Sequence, residues 1–279
     1  MIRRTSVVID GHTLSYLEAG EPGAPVVLLV HGLVSDATTW SPAIAELAGR
    51  GVRVIAPDLL GHGSSEKPEL GYGLADFATS LSALLTDLGI DDAFVGGHSL
   101  GGAIAIQFAH DFPQQTAGLI LVSSGGLGKE VHLILRGATL PGARAVLRVA
   151  INQRTSSGLA HPRLHRLLRL DAPTIANLAR MGRAIVHSDG RHAFFETLHS
   201  VIRPSGQRGS MIDMGYLSPE APTLIVWSEH DPIIPVRHAL DTHAHLPKSV
   251  LSLYPGSSHE PHRVHAARFA DDVAQFLKS

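Results

Sequence analysis

The chain has 279 residues, a hydrophobic content of 44% and a formal net charge of −2 at pH 7, which indicate one globular domain with room for an insertion. The near-neutral charge and the lack of a basic block argue against nucleic-acid binding. The absence of cysteine excludes disulfide bonds, thiolate metal sites and a cysteine nucleophile.

The N-terminal residues lack the apolar stretch of a secretion signal, because Asp10 interrupts the only segment that could provide one. No later stretch approaches the roughly 20 apolar residues that a membrane-spanning helix requires. We therefore expect a cytoplasmic protein without a transmembrane segment.

The first part of the chain shows alternating strand and helix patterns. The dipeptide Asp10-Gly11 predicts a tight turn between two strands within residues 1–20. Continuously apolar runs are typical of strands that are buried on both faces. Such runs occur at residues 26–30, 52–56, 93–97 and 117–122, and helical patterns lie between them at 37–49, 73–88 and 102–110.

The same alternation resumes near the C-terminus. Strands are predicted at 223–227 and 250–254, and helices at 236–243 and 262–277. Alternating strands and helices favour an α/β fold with a parallel sheet. We therefore expect a core domain, formed by residues 1–127 and 215–279, in which helices flank a mostly parallel eight-stranded sheet.

Residues 128–214 interrupt this order and are predicted to form an inserted helical cap, because they contain helical patterns but no clear buried strand. This segment carries 13 Lys and Arg residues against 5 Asp and Glu residues. The arginines could solvate exposed helix faces and pair with the acidic remainder of the chain. Alternatively, they could attract an anionic or lipid-like substrate.

The segment Gly97-His98-Ser99-Leu100-Gly101 matches the pattern G-x-S-x-G and lies between a predicted buried strand and a predicted helix. A sharp turn at this junction requires small residues on both sides of the serine. The start of the following helix directs N–H groups towards an oxyanion formed at the serine. We therefore predict that Ser99 is a nucleophile.

A serine nucleophile needs a base, and that base needs an orienting carboxylate. Asp231 follows the strand at 223–227 and His259 follows the last strand, so both are expected near the same sheet edge as Ser99. Glu229 is the alternative carboxylate. His262 and His265 are alternative bases, although both are expected on a helix surface.

Two backbone N–H groups are predicted to form an oxyanion hole, one from Leu100 and one from Leu33, which follows His31-Gly32 at a strand end. His31 is expected to pack or hydrogen-bond beneath this loop, and Asp58 to form an Asx-type turn at the rim of the site. The pattern from His259 to His262 departs from H-E-x-x-H by one residue and contains a proline. We predict neither a metal nor a cofactor.

Together these motifs and their order resemble those of the α/β-hydrolase superfamily. The resemblance implies cleavage of a small-molecule ester, as by a carboxylesterase or lipase, through a Ser-His-Asp triad and an acyl-enzyme. Haloalkane dehalogenases and epoxide hydrolases in this superfamily have an aspartate where this chain has Ser99, so both of those activities are disfavoured.

Residues 123–128 are similar to a segment of the meta-cleavage-product hydrolases, which implies an alternative activity, the cleavage of a carbon–carbon bond in a dienoic ketoacid. The chain departs from that group at Glu260, where a tryptophan is usual, and at residues 33–36. Arg180, Arg183 and Arg191 of the predicted cap could hold a substrate carboxylate. A ligand receptor with little turnover is the third interpretation.

Overall fold

The computed structural model describes residues 1–69, 71–145, 188–256 and 258–279. The strands of its main sheet are β1 (Arg3–Ile9), β2 (His12–Ala19), β3 (Val26–Val30), β4 (Arg53–Pro57), β5 (Ala93–His98), β6 (Thr116–Val122), β9 (Thr223–Ser228) and β10 (Val250–Tyr254), and a separate small sheet contains β7 (Ile202–Arg203) and β8 (Gly206–Gln207). The eight strands of the main sheet have the order β1-β2-β4-β3-β5-β6-β9-β10. Strand β2 is antiparallel to both of its neighbours, and every other neighbouring pair is parallel.

The described helices flank the main sheet or belong to residues 128–214. They are α1 (Ser41–Ala48), α2 (Leu74–Asp87), α3 (Leu100–Asp111), α4 (Leu133–Gly137), α5 (Ser188–Val201), α6 (Arg237–His245), α7 (Pro261–Val264) and α8 (Ala266–Phe276). In the described ranges, no helix has the length and apolar character needed to cross a bilayer.

Strand β3 illustrates why the central strands are apolar throughout. Leu28 and Val30 pack into the cluster that contains residues of α2 and α3, whereas Val27 and Leu29 pack into the cluster that contains residues of α1 and α8. Since successive side chains of a strand point to opposite faces, a strand covered by helices on both faces must be apolar at every position. The predicted mostly parallel, eight-stranded α/β-hydrolase sheet is confirmed.

The turn between β1 and β2 is also as predicted. Asp10 and Gly11 have φ angles of 49° and 82°, as a two-residue hairpin turn of type I′ requires at both central positions. Ile9 and His12 form the last pair of the antiparallel ladder, so the dipeptide sets the register of this hairpin.

Two predicted elements differ from the structure. The last helix is not continuous, because His265 (φ −124°) separates α7 from α8. Within the predicted cap, the short pair β7 and β8 forms where no strand was expected. The assignment of residues 128–214 as a separate helical cap stays a prediction, and Arg180 and Arg183 lie outside the described residues.

Candidate active site

Ser99 occupies a strained turn between β5 and α3, with φ 56° and ψ −116°. A positive φ is unusual for a residue with a side chain and marks stored strain. A Cβ atom at Gly97 would lie 2.0 Å from the carbonyl oxygen of Gly101, and one at Gly101 would lie 2.1 Å from that of Val30. The two glycines of the motif are therefore a steric requirement of this turn.

The backbone of Ser99 is held by its neighbours. Its N–H donates to the carbonyl of Val122 at 3.0 Å, and its carbonyl accepts from the N–H groups of Gly102 at 3.0 Å and Gly125 at 2.8 Å. Because the N–H of Ser99 is already bonded, the first available donor at the start of α3 is the N–H of Leu100.

Asp231 and His259 are in direct contact. The Nδ1 atom of His259 lies 2.7 Å from Oδ2 of Asp231. Oδ1 of the fully buried Asp231 carboxylate also accepts from the N–H groups of Ile233 at 2.8 Å and Ile234 at 3.1 Å. A carboxylate at Nδ1 favours the tautomer with its proton on that nitrogen, which leaves the lone pair of Nε2 available to accept a proton.

His98 connects the serine turn to His259. Its Nε2 atom lies 2.7 Å from the carbonyl oxygen of His259, and the two rings are 4.7 Å apart between centroids. Since a carbonyl only accepts, Nε2 carries the proton. Burial lowers the pKa of His98 to about 3. His98, the residue before Ser99, is therefore a neutral imidazole that donates a hydrogen bond to the backbone of the predicted base, His259.

His262 does not have the surface position that was expected of it. Its side chain is fully buried, with its ring centroid 4.1 Å from that of Trp40 and 4.9 Å from that of His98. Pro261, in the first turn of α7, is the local sequence feature that indicates the start of a separate short helix before His262. The alternative acid, Glu229, has an exposed side chain.

The loop after β3 approaches Ser99 closely. A Cβ atom at Gly32 would lie 3.4 Å from Cβ of Ser99, so glycine permits this approach. Leu33 and Leu100 line the same cleft as Ser99, and in the described ranges no backbone carbonyl accepts from either N–H. These are the two donors that the sequence predicts for an oxyanion hole.

His31 lies beneath this loop. Its Nε2 accepts the N–H of Leu59 at 3.0 Å, so Nδ1 carries the proton and donates to the carbonyl of Gly32 at 2.8 Å. Burial lowers the pKa of His31. The side chain is therefore a neutral support for the loop that carries Leu33.

Asp58 does not form the local turn that was expected. Its buried carboxylate accepts from the N–H of Ala37 at 2.6 Å, from the N–H of Ser64 at 2.9 Å and from the Arg4 guanidinium at 2.6 Å. These partners come from β1, from the loop after β3 and from the loop after β4. The carboxylate thus ties three separate segments together near the site.

A cleft of about 120 Å³ opens beside Ser99. Its lining is largely apolar and comes from the core and from residues 128–214. Four of the described lining side chains are polar, those of Ser99, Ser200, Gln207 and Arg208. In the part of the chain that the structure describes, no group of three His, Asp or Glu side chains is arranged to hold a metal ion.

Comparison with known proteins agrees with this architecture. A family model described as the α/β hydrolase fold matches residues 25–266. An uncharacterized protein of Mycobacterium tuberculosis is 38% identical over 281 residues, covering 96% of this chain and 79% of that protein. A 2-hydroxy-6-oxononadienedioate/2-hydroxy-6-oxononatrienedioate hydrolase of Comamonas testosteroni is 28% identical over 272 residues, covering 93% of this chain and 89% of that enzyme.

Among solved structures, a thermophilic esterase from Thermogutta terrifontis superimposes with a TM-score of 0.74 at 23% identity, covering 99% of this chain and 98% of that chain. A 2-hydroxy-6-oxo-6-phenylhexa-2,4-dienoate hydrolase from Rhodococcus has the same TM-score of 0.74 at 19% identity, with 100% and 99% coverage. At these identities the likeness concerns the fold. The chain belongs to the α/β hydrolase fold family.

Proposed function

We propose that this protein hydrolyses carboxylic esters, with Ser99 as nucleophile, His259 as general base and Asp231 as its orienting carboxylate. The observation that carries the proposal is the buried Asp231–His259 pair, with 2.7 Å between Oδ2 and Nδ1. It is linked through His98 to a serine held at φ 56° beside an apolar cleft. A strained serine and an imidazole oriented by a carboxylate are two components that acyl transfer requires.

In the first half of the reaction, Nε2 of His259 takes the proton from Ser99 as Oγ attacks the carbonyl carbon of the ester. The carbonyl oxygen becomes an oxyanion that accepts hydrogen bonds from the N–H groups of Leu33 and Leu100. When the tetrahedral intermediate collapses, the bond to the alcohol oxygen breaks. The protonated imidazole gives its proton to the leaving alcohol, and the acyl group stays on Ser99.

In the second half, His259 takes a proton from a water molecule that attacks the acyl-enzyme, and it returns that proton to Ser99 as the carboxylic acid leaves. Asp231 stabilises the imidazolium in both halves. Its bonds to the N–H groups of Ile233 and Ile234 keep the carboxylate oriented.

An alternative reaction at the same residues is hydrolysis of a carbon–carbon bond in a dienoic ketoacid. Two facts support it: the similarity of the chain to the Comamonas hydrolase, and the position of residues 123–128, where the N–H of Gly125 donates to the carbonyl of Ser99.

A receptor with little turnover would use the cleft for binding alone. Failure of a labelled fluorophosphonate to react with Ser99 would favour this interpretation.

The proposal is tested with p-nitrophenyl butyrate and, in parallel, one dienoic ketoacid. Ser99→Ala is expected to abolish turnover, and Asp231→Asn to lower kcat by about 10⁴-fold, because the amide cannot hold the required tautomer. Glu229→Gln, at the exposed neighbouring acid, is the matched control and should retain wild-type rates. Turnover that survives in Ser99→Ala contradicts the proposal, and cleavage of the ketoacid in preference to any ester replaces it with the alternative.

A further inference from the structure

Among the described residues that line the cleft beside Ser99, few have polar side chains that a ligand could use. Twelve of its lining side chains are apolar, namely Leu33, Leu74, Leu100, Ala103, Val131, Leu135, Val201, Ile202, Met211, Met214, Ile233 and Ile234. Apart from Ser99, the polar lining side chains are Ser200, Gln207 and Arg208. The chemistry of a bound molecule therefore depends on what these three side chains offer.

Two of the three already serve the fold. The hydroxyl of Ser200 donates to the carbonyl of Thr197 at 2.7 Å. The amide of Gln207 is bonded at both ends, because Oε1 accepts the N–H of Gly126 at 2.7 Å and Nε2 donates to the carbonyl of Glu130 at 3.1 Å. Both side chains therefore use part of their hydrogen-bonding capacity within the protein, and both are uncharged.

Arg208 differs from both of these residues. Its backbone N–H donates to the carbonyl of Val201 at 2.9 Å, and its Nε donates to the carbonyl of His199 at 2.9 Å. These bonds hold the base of the guanidinium and leave its two terminal nitrogens for other partners. Among the described residues, no carboxylate forms an ion pair with Arg208.

The position of Arg208 in the chain is fixed from both sides. It follows β8, where the N–H of Gln207 donates to the carbonyl of Lys129 at 2.9 Å, and it faces the end of α5 through Val201. Little conformational freedom remains to be lost when a ligand binds, and this favours affinity. Arg144 is a contrasting arginine of the same region, because it pairs with Glu196 at 3.7 Å.

We propose that Arg208 is an anion-binding residue of the cleft and that the substrate is an ester whose apolar acyl chain carries a carboxylate remote from the ester bond. The assignment of a substrate class rests on the proposed ester hydrolysis at Ser99. The planar guanidinium matches a carboxylate through two parallel hydrogen bonds. Arg208 is the one charged side chain among the described residues that line the cleft, and it is exposed. Its single positive charge matches the single negative charge of a carboxylate.

Binding by the inactive variant Ser99→Ala tests the anion site independently of turnover. Two ligands of equal length are compared by isothermal titration calorimetry: the monomethyl ester of heptanedioic acid and the same ester with a terminal amide in place of the carboxylate. The acid is expected to bind at least about tenfold more tightly than the amide. Adding Arg208→Gln should remove this preference, and Arg208→Lys should keep part of it.

Arg203→Gln is the matched control, because Arg203 is an exposed arginine of β7 that does not line the cleft, and it should leave the preference unchanged. Equal binding of acid and amide, or a preference that survives Arg208→Gln, overturns the anion site. If wild-type protein hydrolyses neutral esters while the binding preference is absent, the proposed function stands and the anion site fails. If the preference is present and no ester is turned over, the anion site stands and ester hydrolysis fails.

Discussion

Replacing Asp58 by alanine is expected to destabilise the protein strongly, because the carboxylate joins three chain segments. The change leaves the N–H of the buried Ala37 without its acceptor, and an unsatisfied buried donor costs about 1–3 kcal/mol. It also removes the bond from the N–H of Ser64, an exposed residue, and a hydrogen bond to a charged group contributes about 1.5–3 kcal/mol. The lost pairing with Arg4 adds little, because the Arg4 side chain is 36% exposed. We expect the free energy of unfolding to fall by about 3–5 kcal/mol.

Equilibrium urea denaturation, followed by the fluorescence of the two buried tryptophans Trp40 and Trp227, measures this loss. Asp36→Ala is the matched control, since that carboxylate caps only the adjacent turn by accepting the N–H of Thr38 at 2.8 Å. A cap of this kind contributes about 1 kcal/mol. If Asp58→Ala costs no more than Asp36→Ala, Asp58 does not tie the segments together as described.

Three further predictions concern the serine turn and the buried histidines. Gly101→Ala should abolish ester hydrolysis, because its Cβ would lie 2.1 Å from the carbonyl of Val30. Gly49→Ala is the control, since a Cβ atom there would lie 3.4 Å from the nearest atom. Equal activities of the two variants would contradict the steric argument. His98→Phe should lower kcat by roughly 10–100-fold with little change in KM, since it removes a bond that positions the proposed base; an unchanged kcat would show that the bond is dispensable. Burial lowers the pKa of His62 to about 4, below the unfolded value near 6.5. The unfolded state therefore binds more protons, and the free energy of unfolding should fall as the pH decreases from 6.5 towards 4. In urea titrations at several pH values, His62→Asn should reduce the dependence of this free energy on pH. An unchanged pH dependence would assign the effect to other groups.

Much of the site's framework could be predicted because it rests on local patterns. Strand β3 was predicted with the bounds that the structure shows, Val26–Val30, since an apolar run of five residues reports burial on both faces directly. The turn at Ser99 was predictable for a similar reason, because tight turns limit the residue types at nearby positions. The contact between Asp231 and His259 agrees with the chain order expected of the fold.

The expectations that failed depended on contacts between distant parts of the chain. His262 was expected on a helix surface, yet it packs on Trp40, more than 200 positions earlier in the chain. Asp58 bonds segments that no local pattern connects to it.

The amino-acid sequence by itself determined the α/β fold, the strained serine and the order of its predicted partners, because periodicity and turn sterics act over a few residues. Only the tertiary structure showed that Arg208 lines the cleft. Sequence reasoning singled out Arg180, Arg183 and Arg191 in the predicted cap, of which Arg180 and Arg183 lie outside the described residues, and it did not identify Arg208. The position of Arg208 depends on how β8 and α5 pack against the core, and packing at such a distance leaves no periodic signal in the chain.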